Sequence, residues 1–236
     1  MVKELIENLV AANRILAQQG ILDGFGHVSV RHGSDPNRYL LSRSIAPELI
    51  TAADIMEFDL DSNPIEGKGR GLYIERFIHG EIYKARADVN AVVHNHSPAL
   101  IPFGVAPMPL RPLYHLAAFV GEGIPVFDIR DSAGATDMLV SDSTKARALV
   151  RILYNKPAVL MRGHGASVVG PTVQVAVGRS IYLELDARLQ AQALPFGDKV
   201  RYLSPEEVKL LMANEATRYD RPWEMWKRKA MGGTTP

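Results

Sequence analysis

Two short runs near the N-terminus, HVSVRH (residues 27–32) and RYLLS (38–42), have the strand pattern and are separated only by the turn sequence GSDPN. Parallel neighbours need a crossover of a dozen or more residues, so strands joined this closely run antiparallel. The suggested hairpin therefore favours a mixed or mainly antiparallel sheet over a purely parallel, doubly wound one. MEFDLDSNP (56–64) alternates apolar and acidic residues and closes on a turn, which makes it a further strand. VNAVVHNH (89–96) and IPVFDIRD (124–131) read as strands, and AVLMRGHGASVVG (158–170) as two short ones around a Gly-His-Gly corner.

Helical segments alternate with these strands. Leu5, Leu9, Ala12 and Leu16 share one face of a first helix that stops at Gly20. After the glycine-bearing loop EGKGRG (66–71), Ile74, Ile78, Ile82 and Ala85 predict one face of a second helix. IPFGVAPMPLRP (101–112) reads as a loop and LYHLAAFVG (113–121) as a short helix ended by Gly121. STKARALVRILYN (143–155) predicts a helix, and residues 172–194 a long one ended by Pro195. The tail is helical at SPEEVKLLMANEA, and RPWEMWKRK places Trp223 and Trp226 at helical spacing, where packing is the simplest account. The fold class is α/β, a mixed, largely antiparallel sheet flanked by helices. A single domain spans 1–236, with a core over 1–195 and a helical tail over 196–236.

Composition narrows the function. There are 27 basic and 26 acidic residues, and no Lys/Arg run long enough to mark a nucleic-acid or membrane surface. No stretch approaches the roughly 20 apolar residues of a membrane span. The N-terminal segment mixes charges with its leucines, unlike a signal peptide, so a cytoplasmic protein is expected. No G-x-G-x-x-G or Walker sequence is present.

The chain has no cysteine, so any metal site must be built from His, Asp, Glu or water. Residues two apart on a strand share a face, so His94 and His96 can aim both imidazoles at one point. His164 lies between two glycines directly after an apolar strand, where the backbone can bend and a ligand can approach. Glu75 opens the second helix, four residues before His79 on the same face. Each piece alone also fits an ordinary structural role: a histidine pair at a strand end, a turn histidine, a glutamate at a helix N-terminus.

Together, Glu75-x-x-x-His79, VVH-x-H at 92–96 and the His164-Gly165 corner resemble the class II aldolase/adducin family, in that order along the chain. The resemblance implies an α/β/α sandwich, with His94, His96 and His164 as metal ligands and Glu75 as a fourth ligand or the acid/base. It also implies a homo-oligomer, a cyclic tetramer with the site between subunits. The family's sugar-phosphate aldolases carry a GN-x-S turn and a T-P-S/T-G loop. This chain instead has His27 in GFGHVS, and Ser42, Arg43 and Ser44 in the second place. A guanidinium such as Arg43 suits a carboxylate, so His27, Ser42 and Arg43 are the expected substrate contacts.

GRGLYIERFIHGEIYKARADVNAVVHNHS and RPLYHLAAFVGEGIPVFDIRD resemble the family branch that decarboxylates hydroxylated aromatic and pyridine carboxylates. That branch implies a lyase of aromatic catabolism acting on a small carboxylate such as 3,4-dihydroxyphthalate through a metal-stabilised enolate. His115 or Glu75 would supply the proton. Manganese is favoured by the same resemblance; zinc, iron and cobalt suit the ligand set equally. An aldolase on a non-phosphorylated hydroxy-keto acid, an iron-dependent oxygenase and an adducin-like interaction module are the other readings. The last loses its ligands in the family, whereas this chain keeps all three histidines.

Overall fold

The computed structural model describes residues 2–67 and 69–232; Lys68 of the EGKGRG loop, residue 1 and residues 233–236 lie outside them. In chain order the helices are α1 (Val2–Gln18), α2 (Phe77–Ala85), α3 (Ile101–Val105), α4 (Arg130–Ala133), α5 (Ser143–Leu153), α6 (Val173–Ala193), α7 (Pro205–Met212), α8 (Glu215–Arg218) and α9 (Asp220–Ala230). The strands are β1 (His27–Arg31), β2 (Arg38–Ser42), β3 (Ile55–Asp59), β4 (Ala91–Asn95), β5 (Val126–Phe127), β6 (Ala158–Met161) and β7 (Gly165–Gly170). They form one seven-stranded sheet in the order β3-β2-β1-β4-β7-β6-β5. Every pairing is antiparallel except β5 with β6. The expected mixed, largely antiparallel sheet is what the chain forms.

Helices cover both faces. Leu9, Leu16, Val28, Val93, Val168, Val177 and Leu183 belong to one apolar core, built with α1 and α6. Leu41, Phe58, Ile78, Ile82, Val92, Leu149 and Val159 belong to the other, built with α2 and α5. Strand β4 is buried along its whole length, which is why its sequence is continuously apolar up to His94. Gly20 adopts φ +69 just past α1, the left-handed conformation that ends helices. Trp223 and Trp226 of α9 are buried in the α1/α6 core, and Lys227 Nζ donates to Asn8 Oδ1 at 2.7 Å. The last tail helix thus packs onto the first helix. No described helix is long and apolar enough to cross a membrane.

Several local readings need correction. The second helix begins at Phe77; Glu75 sits before it in a 3-10 turn with φ −90 and ψ 16. That kink takes Ile74 off the counted face and leaves it exposed; Ala85, the last residue of α2, is exposed as well, and the buried face includes Ile78, His79, Ile82 and Tyr83. The Pro-rich segment contains the short helix α3, with Pro102 in its first turn where no backbone donor is needed. IPVFDIRD yields only two strand residues, because Asp128 accepts from the Arg130 amide at 3.0 Å at the start of α4.

Candidate metal centre

The strand register sets the site. β4 pairs His94 with His27 of β1 on one side and with Ser167 of β7 on the other. The β6–β7 hairpin therefore delivers His164 to the end of β4. Two glycines make the corner: Gly163 has φ +63, and a Cβ on Gly165 would lie 1.9 Å from the Asn95 carbonyl oxygen. His96 stands one residue beyond the ladder. Glu184 of α6 holds the segment after it, accepting from Ser97 Oγ and from the Ala99 amide.

Glu75, His94, His96 and His164 each offer a ligand atom, all within 4.8 Å of one another. Glu75 Oε2 lies 3.3 Å from both His94 Nε2 and His164 Nε2, and His96 Nε2 lies 3.1 Å from His164 Nε2. The outer atoms are held from behind. His96 Nδ1 donates to Asp23 at 3.1 Å, His164 Nδ1 donates to the Met138 carbonyl at 3.1 Å, and Glu75 Oε1 accepts from the Val140 amide at 2.8 Å. Those bonds place the imidazole protons on Nδ1 and leave Nε2 lone pairs pointing inward. His94 is fully buried, and among the described residues neither of its nitrogens has a hydrogen-bond partner of normal geometry.

This donor set fits a divalent cation. Buried nitrogens without partners are costly unless something binds them. Tetrahedral coordination at the usual bond lengths would separate ligand atoms by about 3.3 Å, close to the three contacts of 3.1 and 3.3 Å within this cluster. Burial would raise the Glu75 carboxyl, but the His94 and His164 rings outweigh it and hold it well below the usual carboxylate range. Burial pushes His94 down despite Glu75, whereas at His164 the Glu75 carboxylate outweighs burial and raises the ring. Partial burial opposes the ionisation of Asp23, yet the Phe25 amide and His96 keep its carboxyl below the usual range.

The remaining expected residues are placed differently. His27 is buried, 4.5 Å from Tyr73 and 5.1 Å from His94 between ring centroids, with Nδ1 2.6 Å from His79 Nε2. Burial depresses His27 strongly and brings His79 down to about 3, so both rings are neutral. Ser42 is buried with Oγ on Tyr73 OH at 3.2 Å, not presented to solvent. Arg43 gives Nε to Asp54 at 2.6 Å and stays partly exposed. His115 is exposed, edge-on to Tyr114, and is not one of the four converging residues.

Sequence reasoning missed Asp23, Glu184 and the partners of His79. Asp23 carried a turn signal, and its Oδ1 accepts from the Phe25 and Gly26 amides. Nothing in the sequence tied it to His96.

Comparison with known proteins bears on this arrangement. The family model for the Class II Aldolase and Adducin N-terminal domain matches residues 7–191. Decarboxylase tropJ of Talaromyces stipitatus is 28% identical over 251 residues, covering 97% of this chain and 94% of that protein. The 3,4-dihydroxyphthalate decarboxylase of Arthrobacter keyseri is 31% identical over 217 residues, covering 86% and 84%. Among solved structures, L-fuculose 1-phosphate aldolase from Glaciozyma antarctica superposes with a TM-score of 0.80 at 24% identity, covering 98% of this chain and 91% of that one; it speaks to the fold.

Proposed function

The chain belongs to the class II aldolase and adducin family, and from that premise we propose that it is a divalent-metal-dependent decarboxylase. Its substrate would be a hydroxylated aromatic or heteroaromatic carboxylate of the 3,4-dihydroxyphthalate type. The observation that carries this reading is the convergence of three imidazoles and one carboxylate in a chain whose near-full-length relatives include named decarboxylases. The residues in place of the aldolase phosphate loops argue the same way. His27 is committed to His79, and Arg43 is oriented by Asp54.

His94, His96 and His164 through Nε2, and Glu75 through Oε2, would hold the ion, with manganese favoured. Bound there, it supplies Lewis-acid stabilisation of negative charge on an oxygen next to the breaking carbon–carbon bond. Asp23 and the Met138 carbonyl keep two imidazoles in the required tautomer and orientation. Arg43, steadied at Nε, offers the rest of its guanidinium to a substrate carboxylate. Ser42 supports the site through Tyr73, whose ring in turn packs at a tilt against His27. His115 remains our choice for the proton donor. Exposed and outside its own chain's cluster, it would serve a neighbouring copy in a cytoplasmic homotetramer.

The test is anaerobic incubation of metal-reconstituted protein with 3,4-dihydroxyphthalate and related hydroxy-dicarboxylates, following carbon dioxide and the aromatic product, beside His94→Ala. Metal-dependent release that the variant loses is expected. Aldehyde release from a hydroxy-keto acid would instead establish an aldolase, and oxygen consumption with Fe(II) an oxygenase.

A further inference from the structure

Behind the four donors runs a buried polar chain that metal binding does not use. Tyr83 OH lies 2.8 Å from Ser29 Oγ, Ser29 Oγ lies 2.6 Å from His79 Nδ1, and His79 Nε2 lies 2.6 Å from His27 Nδ1. All four side chains are buried. His27 and His94 are cross-strand partners, so their rings project from the same face of the sheet.

Hydrogen-bond bookkeeping gives this chain a direction. Each contact holds one proton, so the two ends decide which way the donors point. If His27 donated from Nδ1, each bond would reverse and the Tyr83 hydroxyl proton would be left without an acceptor in a buried place. Ser29 Oγ is the side-chain partner of Tyr83 OH among the described residues, and a backbone amide cannot accept that proton, so the arrangement leaves an unsatisfied donor. In the other direction Tyr83 donates to Ser29, Ser29 to His79 Nδ1, and His79 Nε2 to His27 Nδ1. Every internal contact is then satisfied, and His27 carries its proton on Nε2. That Nε2 makes no hydrogen bond among the described residues, and the His27 ring lies beside His94, 5.1 Å away between centroids.

We propose that Tyr83, Ser29 and His79 are positioning residues that fix His27 as the Nε2–H tautomer, and that His27 thereby donates a hydrogen bond to an oxygen of the substrate beside His94. A neutral imidazole N–H aimed at an oxygen where charge develops stabilises that charge without an added cation. The identity of that oxygen, on a hydroxylated aromatic acid, rests on the function proposed above; the tautomer does not.

The experiment uses zinc-loaded protein labelled with 15N-histidine and reads two-bond 1H–15N correlations, with His27→Asn to assign the His27 signal. His27 and His79 are both expected to be protonated on Nε2 with Nδ1 bare. Ser29→Ala removes the donor to His79 and is expected to give His27 a mixture of tautomers. A His27 protonated on Nδ1 in the unsubstituted protein, or a tautomer unmoved in Ser29→Ala, would overturn the relay. Adding 3,4-dihydroxybenzoate, which 3,4-dihydroxyphthalate yields on losing the 2-carboxyl, is expected to shift the His27 Nε2 signal; no shift overturns the donor role. A shift without any turnover of 3,4-dihydroxyphthalate retains the donor and removes the proposed reaction. With turnover, Ser29→Ala is expected to lower kcat about tenfold at unchanged KM and zinc content.

Discussion

His96 Nε2 and His164 Nε2 face each other across 3.1 Å while the Nδ1 of each is engaged, one by Asp23 and the other by the Met138 carbonyl. With Nδ1 donating outward in each, a neutral ring turns only a lone pair inward at Nε2. Glu75 Oε2 adds an ionised oxygen 3.3 Å from His164 and from His94, whose nitrogens have no hydrogen-bond partner of normal geometry among the described residues. Four donor atoms gathered within 4.8 Å of one another, two of them on fully or nearly buried side chains, make a set that a divalent cation at their centre would satisfy.

Metal binding should therefore show as stability as well as activity. Removing bound ion with EDTA is expected to lower the melting temperature, and one equivalent of Mn²⁺ or Zn²⁺ to restore it. At a hundredfold excess of ion over Kd the gain is about 2.7 kcal/mol. Thermal melts and metal analysis check this. His164→Ala should bind no ion at micromolar concentration and melt at the same temperature with and without EDTA.

Asp23 touches His96 and lies outside the four-residue cluster, so its effect on the ion runs through that imidazole. In Asp23→Asn the amide oxygen can still accept from the Phe25 and Gly26 amides, which preserves the turn. What is lost is the carboxylate that accepts from His96 Nδ1 and holds the ring in its orientation. Metal affinity is expected to fall roughly 10–100-fold with an unaltered melting temperature of the metal-free form. Competition with a chelating dye measures it.

The parts of this site that could be read in the sequence are those whose partners are local or whose spacing is geometric. His94 and His96 stand two apart at the end of an apolar run, and His164 sits in a glycine corner. The hairpin of β1 and β2 announced its own direction. The second helix was misread at its start because a 3.6-residue count was carried through Glu75, whose backbone leaves the helix there. Asp23 and His96 are 73 residues apart, and Ser29 and His79 are 50 apart. Such pairs follow from sheet order and from how α2 lies across the sheet, and neither is written in a local pattern. His79 illustrates the difference: its place on the helix was legible, and its two hydrogen-bond partners were not.

Acid should destabilise the fold through that same buried pair. The folded value of His79 is pushed by burial to about 3, against an ordinary 6.5, and that of His27 is also far below 6.5. As pH falls below 6.5 the unfolded chain takes up these protons and the folded chain does not, so stability is full above 6.5 and declines toward 3. Each such group contributes a slope of roughly 1 kcal/mol per pH unit. The raised value of His164 acts in the opposite sense. Urea titrations of metal-free protein should give lower stability at pH 5 than at pH 7. His79→Gln should narrow that difference by about 1–2 kcal/mol; an undiminished difference would show that His79 is not its source.

Gly165 is the backbone position on which the site's assembly depends most. A methyl group there would meet the Asn95 carbonyl oxygen at 1.9 Å and the His96 Cα at 2.9 Å, both backbone atoms of the segment that carries two of the imidazoles. Neither can move without parting β7 from β4 and displacing His96 and His94. Gly165→Ala is therefore expected to cost about 3 kcal/mol or more, and to lose metal binding even where folded protein is recovered. Gly20→Ala is the control: its φ of +69 is strained for alanine, but nothing lies within 4 Å of the added Cβ. About 1 kcal/mol is expected there, with metal affinity intact. Melts and metal titrations of the two variants, side by side, separate a general loss of stability from a specific displacement of the ligands. Equal metal affinity in both would show that the β4–β7 contact does not hold the imidazoles in place.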